Sequence, residues 1–309
     1  MNRTTTPDEL LATAPAARPR LSPRAQLWLA LGAVYVIWSS TYLVMRWAID
    51  GMPALLMSGV RFTAAGLVML LVARVRGTPL PTAREWRGAA IVGGLFFLGG
   101  NGLVAIAEEH LGSGLAAVVC ATMPLWLALF SALAGHRPRP REWAGMALGM
   151  AGVAVLALGS DLGATPLAAI LLACSPIAWA LGSFLVPRLR LPQGIAAPGA
   201  EMLAGGLLLI VVGLVRGERL DAVAHAPAEA VAALGYLFVF GSLVGFTAFT
   251  WLLRHARPAV ASSYAFVNPA FAVVLGVAFG GEPLGATTLL AVPLITAAVV
   301  LVVLAPRRT

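Results

Sequence analysis

The chain has 309 residues, of which 60% are hydrophobic and 11% are charged, and its mean hydropathy is +0.89. A typical soluble domain is about half apolar and about a quarter charged. This composition excludes an ordinary soluble fold and indicates that the excess apolar surface faces a lipid bilayer. The net charge is +8, and the basic residues are all arginine. These arginines lie between apolar runs and not along one stripe, which indicates membrane topology and argues against a nucleic-acid partner.

Residues 1–25 are polar and rich in Pro and Ala, which predicts a disordered cytoplasmic tail. The tail does not read as a cleavable signal peptide, because the apolar run after it is long enough to span a membrane. A spanning helix needs about 20 apolar residues. On that basis we predict an all-α integral membrane protein of ten transmembrane helices, at 27–48, 54–74, 86–107, 112–134, 142–160, 166–187, 196–215, 230–253, 259–280 and 285–304.

The distribution of arginine predicts the orientation of the chain. With the N-terminus inside, most arginines fall in inside segments, whereas outside connections hold only Arg216 and Arg219. Connections rich in Lys and Arg stay inside, so we expect both termini to be cytoplasmic in a bacterial inner membrane. Tryptophans near predicted helix ends are expected to be interface anchors, namely Trp28, Trp47, Trp86 and Trp143.

The two halves of the sequence resemble each other weakly, at an offset of about 140 to 145 residues. The matched positions are Trp38 with Trp179, Arg76-Gly77 with Arg216-Gly217, and Pro124 with Pro269. Each half holds an odd number of predicted spans, so the second copy must insert upside down relative to the first. We therefore predict two inverted five-helix repeats, at 26–160 and 161–305, around a central cavity that opens to either side as the halves rock.

Several of these features together resemble the EamA branch of the drug/metabolite transporter superfamily. They are the five-plus-five repeat, the polar first helix Val36-Ile37-Trp38-Ser39-Ser40-Thr41, the pair Arg61-Phe62 in span two, and the matched prolines. The resemblance covers approximately residues 26–305. It implies a transporter that exports amino acids, related metabolites or drugs, and within the branch the chain is similar to bacterial amino-acid exporters.

Polar residues at mid-membrane are costly unless they are buried in protein or face a wet cavity, so they are candidates for a ligand site. The candidate substrate-binding residues are Trp38, Ser39, Thr41, Tyr42, Asn101, Thr122, Trp126, Trp179, Ser183, Tyr264 and Asn268. Aromatic rings would supply apolar walls, and amides and hydroxyls would supply hydrogen bonds. The alternative is that Ser, Thr and Asn only join helices and that Trp only packs.

Two ionisable residues, Arg61 and Glu201, are predicted well inside spans. Either could bind a charged ligand group, and Glu201 could couple transport to protons; the alternative is a structural role or snorkelling. Glu108 is placed at the outer mouth, where it could attract cations or simply orient the helix end. Pro124 and Pro269 are candidate flexing points, because each proline frees a carbonyl one turn earlier.

The missing motifs narrow the function. A nucleotide-binding loop needs a lysine, which this chain lacks, and no metal motif or catalytic triad is visible, so we expect no cofactor, no metal and no enzymatic activity. The first hypothesis is a secondary transporter of a small-molecule substrate, with a multidrug or nucleotide-sugar carrier as the alternative. A membrane-embedded enzyme or a selective channel fits less well. We expect a monomer, although the small-residue face Gly145, Gly149 and Gly152 could support a dimer.

Overall fold

The computed structural model describes residues 22–110, 116, 119–136, 138–157, 166–279 and 286–303. Most of the predicted tail therefore lies outside the described residues. We number the helices in chain order: α1 (Pro23–Ile49), α2 (Ala54–Val75), α3 (Ala83–Glu108), α4 (Met123–Leu133), α5 (Pro140–Ala157), α6 (Pro166–Leu185), α7 (Ala196–Val215), α8 (Leu220–Ala224), α9 (Ala228–His255), α10 (Pro258–Ser262), α11 (Tyr264–Phe279) and α12 (Ala286–Val303).

Within the described residues, 6 helices are long and apolar enough to cross a membrane. They are α1, α2, α3, α6, α7 and the composite helix α9, and their bounds agree with the predicted spans to within a few residues. The other four predicted spans, 112–134, 142–160, 259–280 and 285–304, run partly over residues outside the described part of the chain. The full set of ten spans therefore stays a prediction.

Two of the predicted spans are not single straight helices where the structure describes them. In the span predicted at 112–134, α4 begins at Met123 after a turn at Ala121 and Thr122. In the span predicted at 259–280, Ser263 separates α10 from α11. Both breaks occur close to the matched prolines, and both fall beside the central cavity described below.

The matched Arg-Gly pairs of the two halves are helix ends. Gly77 follows the last residues of α2 with φ +84°, and Gly217 follows α7 with φ +94°. This left-handed backbone region favours glycine. It lets the next residue bond back into the helix, since the Thr78 N–H donates to Ala73 O at 2.9 Å and the Glu218 N–H donates to Gly213 O at 2.9 Å. The repeat in the sequence is thus a repeat of local structure.

Small residues bring equivalent helices of the two halves together. α2 packs along α7, and α5 packs along α12. Gly66 stands directly against the backbone of Gly199 on α7, which leaves no room for a side chain. On α5, Gly149 contacts Phe266 and Gly152 contacts Ile295. Two glycines of the small-residue face on span five therefore pack within the chain.

The helices α3 and α9 each contain a π-helical segment, at Gly94–Gly102 and Leu237–Phe246 respectively. These two helices occupy equivalent places in the two halves, after α2 and after α7. π-Helical turns are rare in proteins as a whole, and many of those that occur lie at functional sites. Both segments face the centre of the molecule, where they line the cavity described next.

Candidate functional site

A central cavity of about 110 Å³ lies between the two halves. It is lined by helices from both halves, including both π-helical segments. Eight of the predicted residues line it: Trp38, Thr41, Tyr42, Arg61, Asn101, Trp179, Tyr264 and Asn268. Aromatic and sulfur-containing side chains complete the walls, among them Phe62, Phe97, Phe246, Met45 and Met123. The site is thus an apolar chamber with a few polar groups, as small-molecule sites commonly are.

Three aromatic residues that line this cavity, Trp38, Trp179 and Tyr264, belong to a cluster of aromatic rings that also includes Phe249, which lines neither cavity. Trp38 lies edge-on to Trp179 with ring centroids 5.6 Å apart and edge-on to Tyr264 at 5.0 Å. Phe249 lies 4.9 Å from Trp38 and 5.5 Å from Tyr264. The phenylalanines of this aromatic cluster were not predicted, because a phenylalanine in an apolar helix carries no signal of its position. The glycines of the π-helical segments are a sequence signal that could have found this region, because a tryptophan ring packs against one glycine in each segment.

Each of the two matched tryptophans packs against a glycine of the other half. A side chain at Gly245 would overlap the ring of Trp38, and a side chain at Gly100 would overlap the ring of Trp179. The Trp38 Nε1–H also donates a hydrogen bond to the Gly241 carbonyl at 3.2 Å. The two tryptophan–glycine contacts are equivalent under the repeat, because each half contributes one tryptophan and one glycine at matched positions.

Several predicted polar residues join helices. The Ser39 hydroxyl donates to Asn268 Oδ1 at 3.1 Å and also to the carbonyl of Tyr35. The Tyr35 and Ser263 hydroxyls share a hydrogen bond of 2.6 Å. Ser39 does not line the cavity, whereas Asn268 does. Ser39 therefore positions Asn268 and ties α1 to α11.

Arg61 is the charged residue that lines the cavity among the described residues. Its side chain is buried, its Nε atom has no hydrogen-bond partner, and its Cζ atom lies 4.0 Å from the centroid of the Phe62 ring. Asn101 Oδ1 is also buried without a partner. Unpartnered buried polar groups are costly. A bound molecule that pairs with them recovers this cost, and a carboxylate is the natural partner of a guanidinium.

A second and larger cavity of about 780 Å³ opens at the helix ends and contains Pro124 and Ser183. We call it the basic vestibule, because its charged lining is Arg139, Arg188, Arg254, Arg257 and Glu142. All four arginines belong to segments predicted inside. Arg257 Nη1 pairs with Glu142 at 2.6 Å. Ser183 thus lies one helical turn beyond the central cavity, in which Trp179 sits.

The two cavities follow one another along the same helices. On α6, Trp179 lines the central cavity and Ser183 lines the basic vestibule; on the α10–α11 segment, Tyr264 and Ser262 do the same. The aromatic cluster of Trp38, Trp179, Phe249 and Tyr264 lies where the helices pass from the central cavity to the basic vestibule. On α9, Phe249 of this cluster follows Phe246, which lines the central cavity, and precedes Leu253, which lines the basic vestibule, so the cluster lies between the two spaces.

Other predicted residues lie elsewhere. Thr122 precedes α4, and its hydroxyl donates back to Val119 O at 2.7 Å without capping the helix. Trp126 packs against the apolar core. Neither residue lines a cavity. Glu201 is fully buried, its carboxyl oxygens have no hydrogen-bond partner, and it lines neither cavity. Of these two ionisable residues, only Arg61 lines the central cavity.

The two candidate flexing points also differ. Pro124 lies in the first turn of α4, where a helix loses no hydrogen bond to proline. Pro269 lies inside α11. It cannot donate to the carbonyl of Ala265, one turn earlier, and Ala265 lines the central cavity. Pro269 therefore interrupts a helix beside the cavity, whereas Pro124 stands at the start of one, four residues after Cys120, which also lines the cavity.

Comparison with known proteins gives a consistent result. The profile of the EamA-like transporter family matches twice, over residues 24–158 and 166–304. The chain is 44% identical over 276 residues to the "Uncharacterized inner membrane transporter YedA" of Escherichia coli K12, covering 89% of this chain and 90% of that protein. It is 28% identical over 261 residues to the "Probable terminal-alkyne amino-acid exporter" of Streptantibioticus cattleyicolor, covering 82% and 85%.

A solved structure described as "Crystal structure of protein" has the same fold. It superposes with a TM-score of 0.73 at 21% identity, covering 91% of this chain and 98% of that chain. At this identity the likeness concerns the fold alone. The two profile matches fall on the two predicted repeats, with the division between them at residues 159–165.

Proposed function

Because this chain belongs to the EamA-like transporter family, we propose that it is a secondary transporter or facilitator that exports amino acids or closely related small metabolites across the bacterial inner membrane. The observation that carries the proposal is the central cavity, which both halves line and which holds Arg61, whose buried Nε has no hydrogen-bond partner, beside aromatic walls. The relatives are named transporters. A transporter role, and not an enzymatic one, accords with a site built from rings, amides and one arginine.

The chemistry of the cavity favours a single carboxylate with an apolar or aromatic side chain. Arg61 would bind the carboxylate, and Asn101 and Asn268 would hydrogen-bond the remaining polar atoms. A nucleotide sugar carries two phosphates, so a site that binds it needs several basic side chains. Among the described residues, Arg61 alone supplies positive charge to the cavity. A volume of about 110 Å³ suits an amino acid better than a drug-sized molecule, for which pockets of roughly 300 Å³ or more are usual.

Transport would proceed by alternating access between two inverted five-helix repeats. We infer that the aromatic cluster separates the central cavity from the basic vestibule in this conformation. The four vestibule arginines support a cytoplasmic position for this space, because connections rich in arginine usually stay inside. Substrate would then enter from the vestibule once the cluster parts, and the opposite wall of the cavity would open to release it outside.

Counterflow in proteoliposomes tests this proposal. Vesicles loaded with unlabelled L-phenylalanine, L-threonine or L-methionine should accumulate the same labelled amino acid from a trace outside. Accumulation of at least one of them supports a carrier of amino acids. If none accumulates while a drug or a nucleotide sugar does, the amino-acid assignment is wrong and the alternative carrier function replaces it.

A further inference from the structure

The two matched tryptophans turn different edges of the indole toward the opposite half. A methyl group added at Gly245 would overlap Nε1 and Cδ1 of Trp38, so Trp38 presents its nitrogen-bearing ring to α9. A methyl group added at Gly100 would instead overlap Cε3 and Cζ3 of Trp179, so Trp179 presents its six-membered carbon ring to α3. The nitrogen of Trp179 therefore points away from this contact, and the repeat is broken in the orientation of the two rings.

This difference in orientation decides which indole N–H has a partner in the protein. The Trp38 Nε1–H donates to the Gly241 carbonyl at 3.2 Å. The Nε1 atom of Trp179 is buried, and no atom of the described residues accepts a hydrogen bond from it. The Tyr264 hydroxyl lies near the Trp179 N–H without hydrogen-bond geometry. One of the two matched N–H groups is thus satisfied and the other is not.

The sequence of the two π-helical segments accounts for the broken repeat. Gly241 precedes Gly245 by four residues, and Phe96 precedes Gly100 by four residues. A glycine leaves the helix surface open, so the Trp38 nitrogen reaches the backbone. At the equivalent place Phe96 puts its own ring against the indole of Trp179, with ring centroids 4.9 Å apart.

The unpartnered N–H of Trp179 belongs to a set of such groups at the central cavity. Among the described residues, three that line this cavity have a buried side-chain atom without a hydrogen-bond partner, namely Arg61 Nε, Trp179 Nε1 and Asn101 Oδ1. Two of these atoms donate and one accepts. A carboxylate has two oxygens with about four acceptor positions, so it can take hydrogen bonds from a guanidinium and an indole N–H together. An ammonium group would leave both donors unpaired.

We propose that Trp179, and not its matched residue Trp38, donates a hydrogen bond from Nε1–H to the carboxylate of the transported substrate, alongside Arg61. The proposal rests on the proposed function. It gives Trp179 a polar role in specificity that the packing of its ring does not require. The N–H of Trp38 instead holds α1 of the first half to α9 of the second half.

The test compares Trp179→Phe with Trp38→Phe, because both substitutions remove an indole N–H and trim the ring in the same way. The dissociation constant is measured by equilibrium binding of whichever of L-phenylalanine, L-threonine or L-methionine shows counterflow. We expect Trp179→Phe to weaken binding about tenfold more than Trp38→Phe does, as loss of a hydrogen bond to a charged group would.

The melting temperature of the substrate-free protein should rank the two variants in the opposite order. Trp38→Phe removes a hydrogen bond within the protein, whereas Trp179→Phe removes an N–H that has no partner there. We therefore expect Trp38→Phe to melt about 2–4 °C below Trp179→Phe.

Opposite rankings by the two measurements support the proposal. It is overturned if Trp38→Phe loses as much affinity as Trp179→Phe, or if Trp179→Phe melts as low as Trp38→Phe. If Trp179→Phe does not fold, benzothienylalanine at position 179 keeps the shape of the indole and replaces N–H by sulfur; wild-type affinity in that protein also overturns the proposal. A wild type that exchanges no amino acid contradicts the proposed function, and this proposal fails with it.

Discussion

Trp38 and Trp179 meet edge to face at the centre of the molecule, with ring centroids 5.6 Å apart and ring planes at 84°. The two residues occupy matched positions in the repeated sequence. Each also packs on a glycine of the opposite half, Trp38 on Gly245 and Trp179 on Gly100. The two halves therefore hold each other through equivalent contacts at the level that separates the central cavity from the basic vestibule.

Substituting either glycine should disturb this junction. In Gly100→Ala or Gly245→Ala the added methyl group overlaps a tryptophan ring. We therefore expect each substitution to lower the free energy of unfolding by about 1–3 kcal/mol, as overpacking of a core does. Gly235→Ala is the matched control, because Gly235 lies in α9 with nothing within 4 Å of an added methyl group. Thermal unfolding of purified protein measures the difference. Equal melting temperatures for Gly245→Ala and Gly235→Ala would contradict the described packing.

Arg61 should determine the preference for a carboxylate. We expect Arg61→Gln to weaken binding of the transported amino acid by about 10- to 100-fold, which corresponds to about 1.5–3 kcal/mol for a hydrogen bond to a charged group. Arg61→Lys should keep part of the affinity, because it keeps the charge. Binding of the amino acid is compared with that of its amide. An amide that binds the wild type as tightly as the free acid does would remove Arg61 from the recognition of a carboxylate.

Pro269 should affect the rate of transport more than binding. It lies inside α11 and leaves the carbonyl of Ala265 without a helical partner, so Pro269→Ala should restore that hydrogen bond and stiffen the helix beside the cavity. We expect counterflow to slow several-fold with the dissociation constant unchanged. Pro124→Ala is the comparison, because Pro124 lies in the first turn of α4 and does not interrupt that helix. A parallel loss of binding and rate in Pro269→Ala would indicate a site or folding role instead.

The arginines predict the orientation of the chain. We expect the vestibule to face the cytoplasm and both termini to be cytoplasmic. A C-terminal alkaline phosphatase fusion should then be inactive in bacteria, while a C-terminal green fluorescent protein fusion should be fluorescent. The reverse pattern would place the basic vestibule outside and would reverse the proposed route of the substrate.

The helices and their pairing across the repeat could be predicted from sequence because they depend on run length and local pattern. The six confirmed spans are long apolar runs, and the Arg-Gly pairs are local signals of a helix end. The same pattern placed Trp38 and Trp179 in equivalent positions, and the structure brings them together. The chemistry of each residue type then identified most of the polar lining of the cavity.

The rest depends on packing that no local pattern encodes. Ser183 lies one turn too far along α6 to line the central cavity, and one helical turn is about 5.4 Å. Phe249 carries no signal within an apolar helix. Glu108 lies at a helix end, where sequence alone predicts exposure at the outer mouth, but its side chain is 0% exposed.

The most direct test of the central claim is counterflow by variants of the central cavity. Trp38→Ala and Asn101→Ala are compared with Trp28→Ala, whose tryptophan is 52% exposed on the same helix as Trp38 and lines neither cavity. We predict that the two cavity variants fold and lose counterflow of the transported amino acid, while Trp28→Ala keeps it. Full counterflow in both cavity variants would contradict the account, because substrate would then cross the protein without using the chamber between its halves.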